Sequence, residues 1–308
     1  MGGTRPAVSG LGGWCARMVL VCGVGAVLCG GCHFSQEWHF SQERYERTEY
    51  LEAPLEAQRR FAAETYNGAI AVKGVDEERC RVTARIIGYA PKIEEAQRLA
   101  EQVRVRLEAR DGGLATLVEK PNIPLQCGVC VEFDVAAPRR TGLDLVTHNG
   151  AVRVSDIAGD VRVKTHNGEV RLERVVGRVD LETHNGQVVV EGLTGQAELE
   201  TYNGRIVCRG LVGPLNAVTH NGDVEVVYSE AAGAGPESRV VTHNGSIDFT
   251  GPPGLSARVR IQTHRGTVRT AVPITMEGEI AKNRVIGTAG AGEGMVRLET
   301  HNGSITLR

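Results

Sequence analysis

Aromatic residues are scarce in this chain: Phe, Trp and Tyr make up 4% of 308 residues, too few for an ordinary mixed core. No sign of charge dominates either. Lys and Arg total 35 against 37 Asp and Glu, interspersed along the chain, for a formal charge of -2. A nucleic-acid partner or attraction to an acidic membrane surface is therefore not expected. Catalytic signatures are missing as well: there is no Gly-x-Ser-x-Gly elbow, phosphate loop or His-Glu-x-x-His. The nonapeptide calcium repeat Gly-Gly-x-Gly-x-Asp is also absent. The acids fall on alternate strand positions among arginines, as a solvated face does, and not as a carboxylate pair in a cleft. Neither an enzyme nor a cofactor is expected. What the chain has in quantity is glycine, 39 residues, which suits many short strands separated by tight turns.

The N-terminal region reads as a targeting segment covering residues 1–32. Arg5 and Arg17 form a thin basic region, and residues 18–32 (MVLVCGVGAVLCGGC) are apolar but too short to span a bilayer as a helix. Leu28-Cys29-Gly30-Gly31-Cys32 resembles a bacterial lipobox, with Cys29 unusual at its place, so Cys32 is the expected lipidation site. Ordinary secretion and a retained anchor are the alternatives. Residues 33–63, which repeat His-Phe-Ser-Gln-Glu at His33 and His39, read as a polar tether. Export permits disulfides. Cys127-Gly128-Val129-Cys130 offers a candidate disulfide between Cys127 and Cys130; a redox or zinc role lacks a second cysteine pair or a thioredoxin-like context.

The repeat decides the fold. Thr-[His/Tyr]-[Asn/Arg]-Gly occurs nine times, starting at Thr65, Thr147, Thr165, Thr183, Thr201, Thr219, Thr242, Thr263 and Thr300. The four intervals from Thr147 to Thr219 are each 18 residues, the mark of a solenoid whose units bury their apolar sides only by stacking. Apolar residues recur five and seven places after Thr, as in Val152 and Val154 or Val170 and Leu172, and a second alternating run precedes each Thr. Both have the period of a strand, with charge outside and aliphatics inside. Asn-Gly after the ring residue predicts a turn with positive φ at both positions, and Gly159, Gly177, Gly195 and Gly213 predict an opposing turn. Ile157, Val175, Leu193 and Leu211 are expected to plug one end of the core, and Cys208 falls in an inward aliphatic column.

The expected fold is thus all-β, a single-stranded β-helix or β-solenoid of two-strand, 18-residue rungs over 141–308. Residues 64–140 supply a first rung and an α+β cap, with a helix at Ile93 to Gln102 and a strand pair near Val103 to Leu117. The longer spacings of 23, 21 and 37 before Thr242, Thr263 and Thr300 predict loops, such as Ser229 to Ser238, and one degenerate rung in the last gap. The chain is expected to stop inside the outer strand of its last rung, leaving an uncovered end suited to self-association.

The Thr-His-Asn-Gly series, the entry at residues 131–138 (VEFDVAAP) and the ending at residues 294–305 (GMVRLETHNGSI) resemble the putative adhesin family of bacterial envelope proteins. The resemblance covers about residues 65–308. It implies a β-solenoid of mostly unknown function and carries over no catalytic residues. The near-uniform His after Thr departs from the family pattern. His148, His166, His184, His220, His243, His264 and His301 would stack along one edge, interrupted at Tyr202. They are candidates for a divalent-metal or acid-sensing ladder, or they are flat turn residues stacking on their copies. The expected role is a non-enzymatic envelope lipoprotein, structural or adhesive, held to a bacterial membrane by its lipid and meeting an unidentified surface or envelope partner. A self-assembling scaffold and a metal binder are the alternatives.

Overall fold

The computed structural model describes residues 42–110, 112–277 and 281–308. The candidate lipidation site Cys32 and the rest of the leader lie outside the described residues.

Each repeat folds as its alternation requires. The run before Thr forms one strand, the run after Gly another, and the chain winds on so that like strands stack. Val161–Asn167 pairs in parallel with Gly142–Asn149 on one side and Val179–Asn185 on the other, Thr165 facing Thr147 and Thr183. Ala197–Asn203, Leu215–Asn221 and Glu237–Asn244 continue this sheet in the same register. Val152–Ile157, Val170–Val176, Val188–Thr194, Ile206–Leu211 and Val224–Tyr228 build the opposite sheet in the same way. Among the described residues the two sheets hold thirteen and twelve strands.

Their inner faces form one core. Leu145, Val163, Leu181, Leu199 and Ala217 of the first sheet and Val154, Leu172, Val190, Cys208 and Val226 of the second are almost fully buried. Each Val or Leu buried in this way contributes about 1.5–3 kcal/mol. Ile157, Val175, Leu193 and Leu211 are each 1% exposed, closing the core beside the second turn. Cys208 faces Val190 and Val226 on the neighbouring strands, and burial pushes its thiol up to about 12, as befits a small hydrophobe.

The Thr-Asn-Gly turn is held by two polar columns. Buried Thr147, Thr219, Thr242 and Thr300 donate from Oγ1 to the carbonyl of the glycine one rung below, at 2.8 to 3.0 Å. Thr183 Oγ1 has no such partner. The asparagines form an unbroken amide ladder in which each Nδ2 donates to the Oδ1 below, from Asn149 on Asn67 at 2.7 Å to Asn302 on Asn244 at 2.7 Å. The expected positive φ at asparagine is corrected: the non-glycine residues with positive φ are Gln58, Gln126, Asp156 and Arg174. Glycine is required here for a second reason. A Cβ on Gly186 would stand 1.9 Å from the Gly168 carbonyl oxygen, because successive turns stack backbone on backbone. Positive φ is found at Gly68, Gly245 and Gly303 of this turn (144 to 159°), at Gly177, Gly195 and Gly213 of the opposing turn as expected (129 to 145°), and also nine places after Thr, where Asp156, Arg174, Gly192 and Gly210 bend the second strand at 52 to 70°.

Three expectations about the ends of the stack are corrected. First, Glu43–Pro54, placed in the polar tether, is a strand antiparallel to Arg79–Ala90. Its half-buried face carries Tyr45, Arg47, Glu49, Leu51 and Ala53, so the alternation is masked by polar residues. Arg47 binds the carbonyls of Ala100 and Val103 at 2.8 and 2.5 Å, tying this strand to the end of the helix Ile93–Gln102. The rest of residues 64–140 matches the expected cap: Arg60–Asn67 stacks on Gly142–Asn149, Arg104–Arg110 and Gly113–Glu119 form a hairpin, and Gly128–Pro138 pairs with Ile70–Val75.

Second, the rung written last in the sequence is not last in space. Gly294–Asn302 lies between Glu237–Asn244 and Ala257–Arg265, and Ile305–Leu307 lies between Ile247–Thr250 and Val268–Thr270. Third, among the described residues the 37-residue gap holds no degenerate rung. Arg284–Ala289 turns back antiparallel on Ala257–Arg265, and Thr275–Met276 pairs on it in turn. The edge strands at that end are therefore Val268–Thr270 and Thr275–Met276, of three and two residues, and not the chain's last strand as expected for self-association. Short edge strands of this kind suppress strand addition.

Candidate functional site

Because Thr points inward, the residues on either side of it point outward on the first sheet, one strand repeat apart. The ring column after Thr is longer and more regular than the sequence implied. It begins with Tyr66 on His148, centroids 4.6 Å apart, and runs through His166, His184, Tyr202, His220, His243 and His301 to His264. Tyr202 does not interrupt it: its ring stacks at 5.0 Å on His184 and 4.7 Å on His220, within 9° of parallel. His301 sits between His243 and His264 at 4.7 and 4.6 Å, reflecting the interposed C-terminal strand. Tyr66 was hidden because 82 residues separate Thr65 from Thr147. Its rung nevertheless stacks directly on the next.

The rings form one wall of a long open trough of about 1140 Å³; the other is the outward column just before Thr, including Glu64, Lys164, Glu182, Glu200 and Glu299. Carboxylates thus stand two residues from the rings on the same strands. Simple alternation would have found them. Lys164 Nζ binds Glu182 at 2.7 Å, and this hydrogen bond holds the ammonium above its usual range. One column further out, Arg162 pairs with Asp180 at 3.2 Å.

No His, Cys, Asp or Glu cluster among the described residues brings three metal ligands together. The stack explains why. The rings stack with centroids 4.6 to 5.0 Å apart, near-parallel except at His166, which tilts 48 to 49° against His148 and His184, whereas zinc needs convergent nitrogens about 2.0–2.1 Å from one point. The ladder's chemistry is that of a row of hydrogen-bonding rings on the outward face of the sheet. Removal from water, then His264, His243 and Arg265, hold the His301 imidazole below its ordinary value.

Cys127 and Cys130 are free thiols, as are Cys80 and Cys208. Burial, then the Glu132 carboxylate, push the Cys130 thiol up to about 11, the reverse of what an activated nucleophile requires. No helix among the described residues is long and apolar enough to cross a membrane.

None of the curated proteins compared matches the chain. Among solved structures, one described as a putative adhesin from Bacteroides fragilis NCTC 9343 is 12% identical, with 85% of this chain and 97% of that one covered at a TM-score of 0.43. A putative cell adhesion protein from Clostridium sporogenes ATCC 15579 is 12% identical, covering 85% and 99% at a TM-score of 0.30. A putative adhesin from Parabacteroides distasonis ATCC 8503 is 6% identical, covering 85% and 97% at 0.29. Residues 132–308, the stretch that holds the regular rungs and the ladder from His148 onward, match the Toastrack DUF4097 family model. The chain belongs to the Toastrack DUF4097 family.

Proposed function

We propose that this protein is a non-enzymatic component of the bacterial cell envelope, exported and lipid-anchored through Cys32, whose solenoid has a structural or adhesive binding role. The observation that carries the reading is the continuous ring-lined trough. Nine rungs repeat one outward ring each, and the side chains along it are spread as a periodic surface, not converged on a reacting centre. Such a face suits recognition of an extended partner, because each rung offers the same groups at a spacing of about 4.8 Å. The leader and its lipobox-like end support the envelope location.

The experiment is metabolic labelling with a palmitate analogue followed by envelope fractionation, comparing the natural chain with Cys32→Ser. Label and envelope retention that both depend on Cys32 are expected. Unlabelled protein in the soluble fraction would overturn the anchored reading.

A further inference from the structure

On the first sheet, outward charges on neighbouring strands alternate in sign where Arg162 stands between Asp144 and Asp180, three places before Thr, and where Lys164 faces Glu182. Acidic neighbours meet further on, Asp180 with Glu198 and Glu182 with Glu200. At the C-terminal end of the stack the like charges are basic and extend over three strands. Strand interposition sets Arg239, Arg297 and Arg260 side by side on three consecutive strands in one register. Like charges directly opposite each other destabilise a sheet, and here only Arg297 has a carboxylate, Glu299, at 2.9 Å. Arg239 has only the Asn216 amide, at 3.0 Å, and both Arg239 and Arg260 are exposed. The outward faces of these strands also carry Arg258, against Glu237 and Glu299, so positive charge is in excess. A departure from local consistency of this kind marks a functional surface.

We propose that this arginine row binds a linear polyanion of the polyuronate type, one carboxylate on each sugar, laid along the solenoid axis. The geometry sets the class. Arg297 is already held by Glu299, so the open guanidinium forks are those of Arg239 and Arg260, two strand spacings or about 9.6 Å apart, which matches every second unit of a chain with one carboxylate per sugar. The same three strands carry His243, His301 and His264, whose imidazoles supply hydrogen-bonding partners for sugar hydroxyls. A strip one column wide fits a strand better than it fits a bilayer. The inference deepens the binding role proposed above by naming its partner class. It is tested on purified protein, so its failure is separate from failure of the palmitate experiment.

The experiment measures binding of end-labelled oligogalacturonate to the full chain by fluorescence anisotropy, with neutral dextran, polyphosphate and phosphatidylglycerol vesicles as comparisons. Oligogalacturonate is expected to bind, more weakly as salt rises, and Arg239→Gln/Arg260→Gln to weaken it tenfold or more. Arg162→Gln, which removes a guanidinium already paired with Asp180, is the control and should leave binding within twofold. Unfolding midpoints report folding; relieving like-charge repulsion should leave the double variant at least as stable as the natural chain. Equal binding by that variant, dextran binding as tightly, or preference for polyphosphate or vesicles would each overturn the proposal.

Discussion

The asparagine ladder makes a quantitative prediction about coupling. Asn185 donates to Asn167 and accepts from Asn203, both at 2.8 Å, and Asn203 in turn accepts from Asn221 at 2.7 Å. Asn185→Ala and Asn203→Ala each remove two amide bonds, but the double variant removes three because one bond is shared. A net hydrogen bond contributes about 0.5–1.5 kcal/mol, and these exposed amides belong at the lower end. Each single change should cost about 1–2 kcal/mol, and the pair should fall short of additivity by about 0.5–1 kcal/mol. Asn149 and Asn221 are the control, since their four bonds, to Asn67, Asn167, Asn203 and Asn244, are distinct. That pair should be additive. Urea denaturation of the four single and two double variants reads both cycles. Equal coupling in the two cycles, or none in the first, would refute a ladder that works bond by bond.

Three further outcomes follow from the same geometry. Gly186→Ala should cost more than about 1–3 kcal/mol in urea unfolding, the usual range for overpacking, because its Cβ meets backbone 1.9 Å away; an unchanged midpoint would remove the stacked-turn explanation. His301 has a folded pKa below its unfolded value of 6.5, so the unfolded chain binds its proton first. Stability should therefore fall as pH drops below about 6.5, with the full penalty reached below the folded pKa, and His301→Asn should flatten the midpoint between pH 7.5 and 5.5. A midpoint that rises over this interval would contradict the ladder's cost of charging. Burial pushes the thiols of Cys80 and Cys208 up to about 12, so a thiol reagent at pH 8 should modify them only after unfolding. Rapid modification of both in the native chain would place them wrongly.

The rung itself was legible from sequence because two columns with a period of two and a turn recurring every 18 residues leave few alternatives. Inward Val and Leu, the buried plugs at Ile157 to Leu211 and the cap helix at Ile93–Gln102 all follow from local pattern. The order of the last rungs did not. The strands ending at Asn244, Arg265 and Asn302 share one register, so periodicity permits any stacking order among them. The choice is made by Arg284–Ala289, which folds back antiparallel and closes the far edge, leaving the chain to return inside. Chain distance hid Tyr66 for a similar reason, and polar residues on a half-buried face hid Glu43–Pro54. The close stacking that also requires glycine in the turn was missed because φ was considered without the rung beneath it. The arginine row was invisible until the interposed strand put Arg297 between Arg239 and Arg260.

That interposition underlies the order of the ring ladder and the arginine row alike. It is tested by paired cysteines at outward positions in a Cys127→Ser/Cys130→Ser chain. Val241 and Glu299 are register partners on adjacent strands, and Gln262 lies one strand beyond Glu299. Under mild oxidation Val241→Cys should cross-link to Glu299→Cys. Val241→Cys with Gln262→Cys, about two strand spacings or ~9.6 Å apart, should not, since a disulfide spans at most about 7 Å between Cα atoms. Cross-linking of Val241→Cys to Gln262→Cys in place of Glu299→Cys would contradict the account.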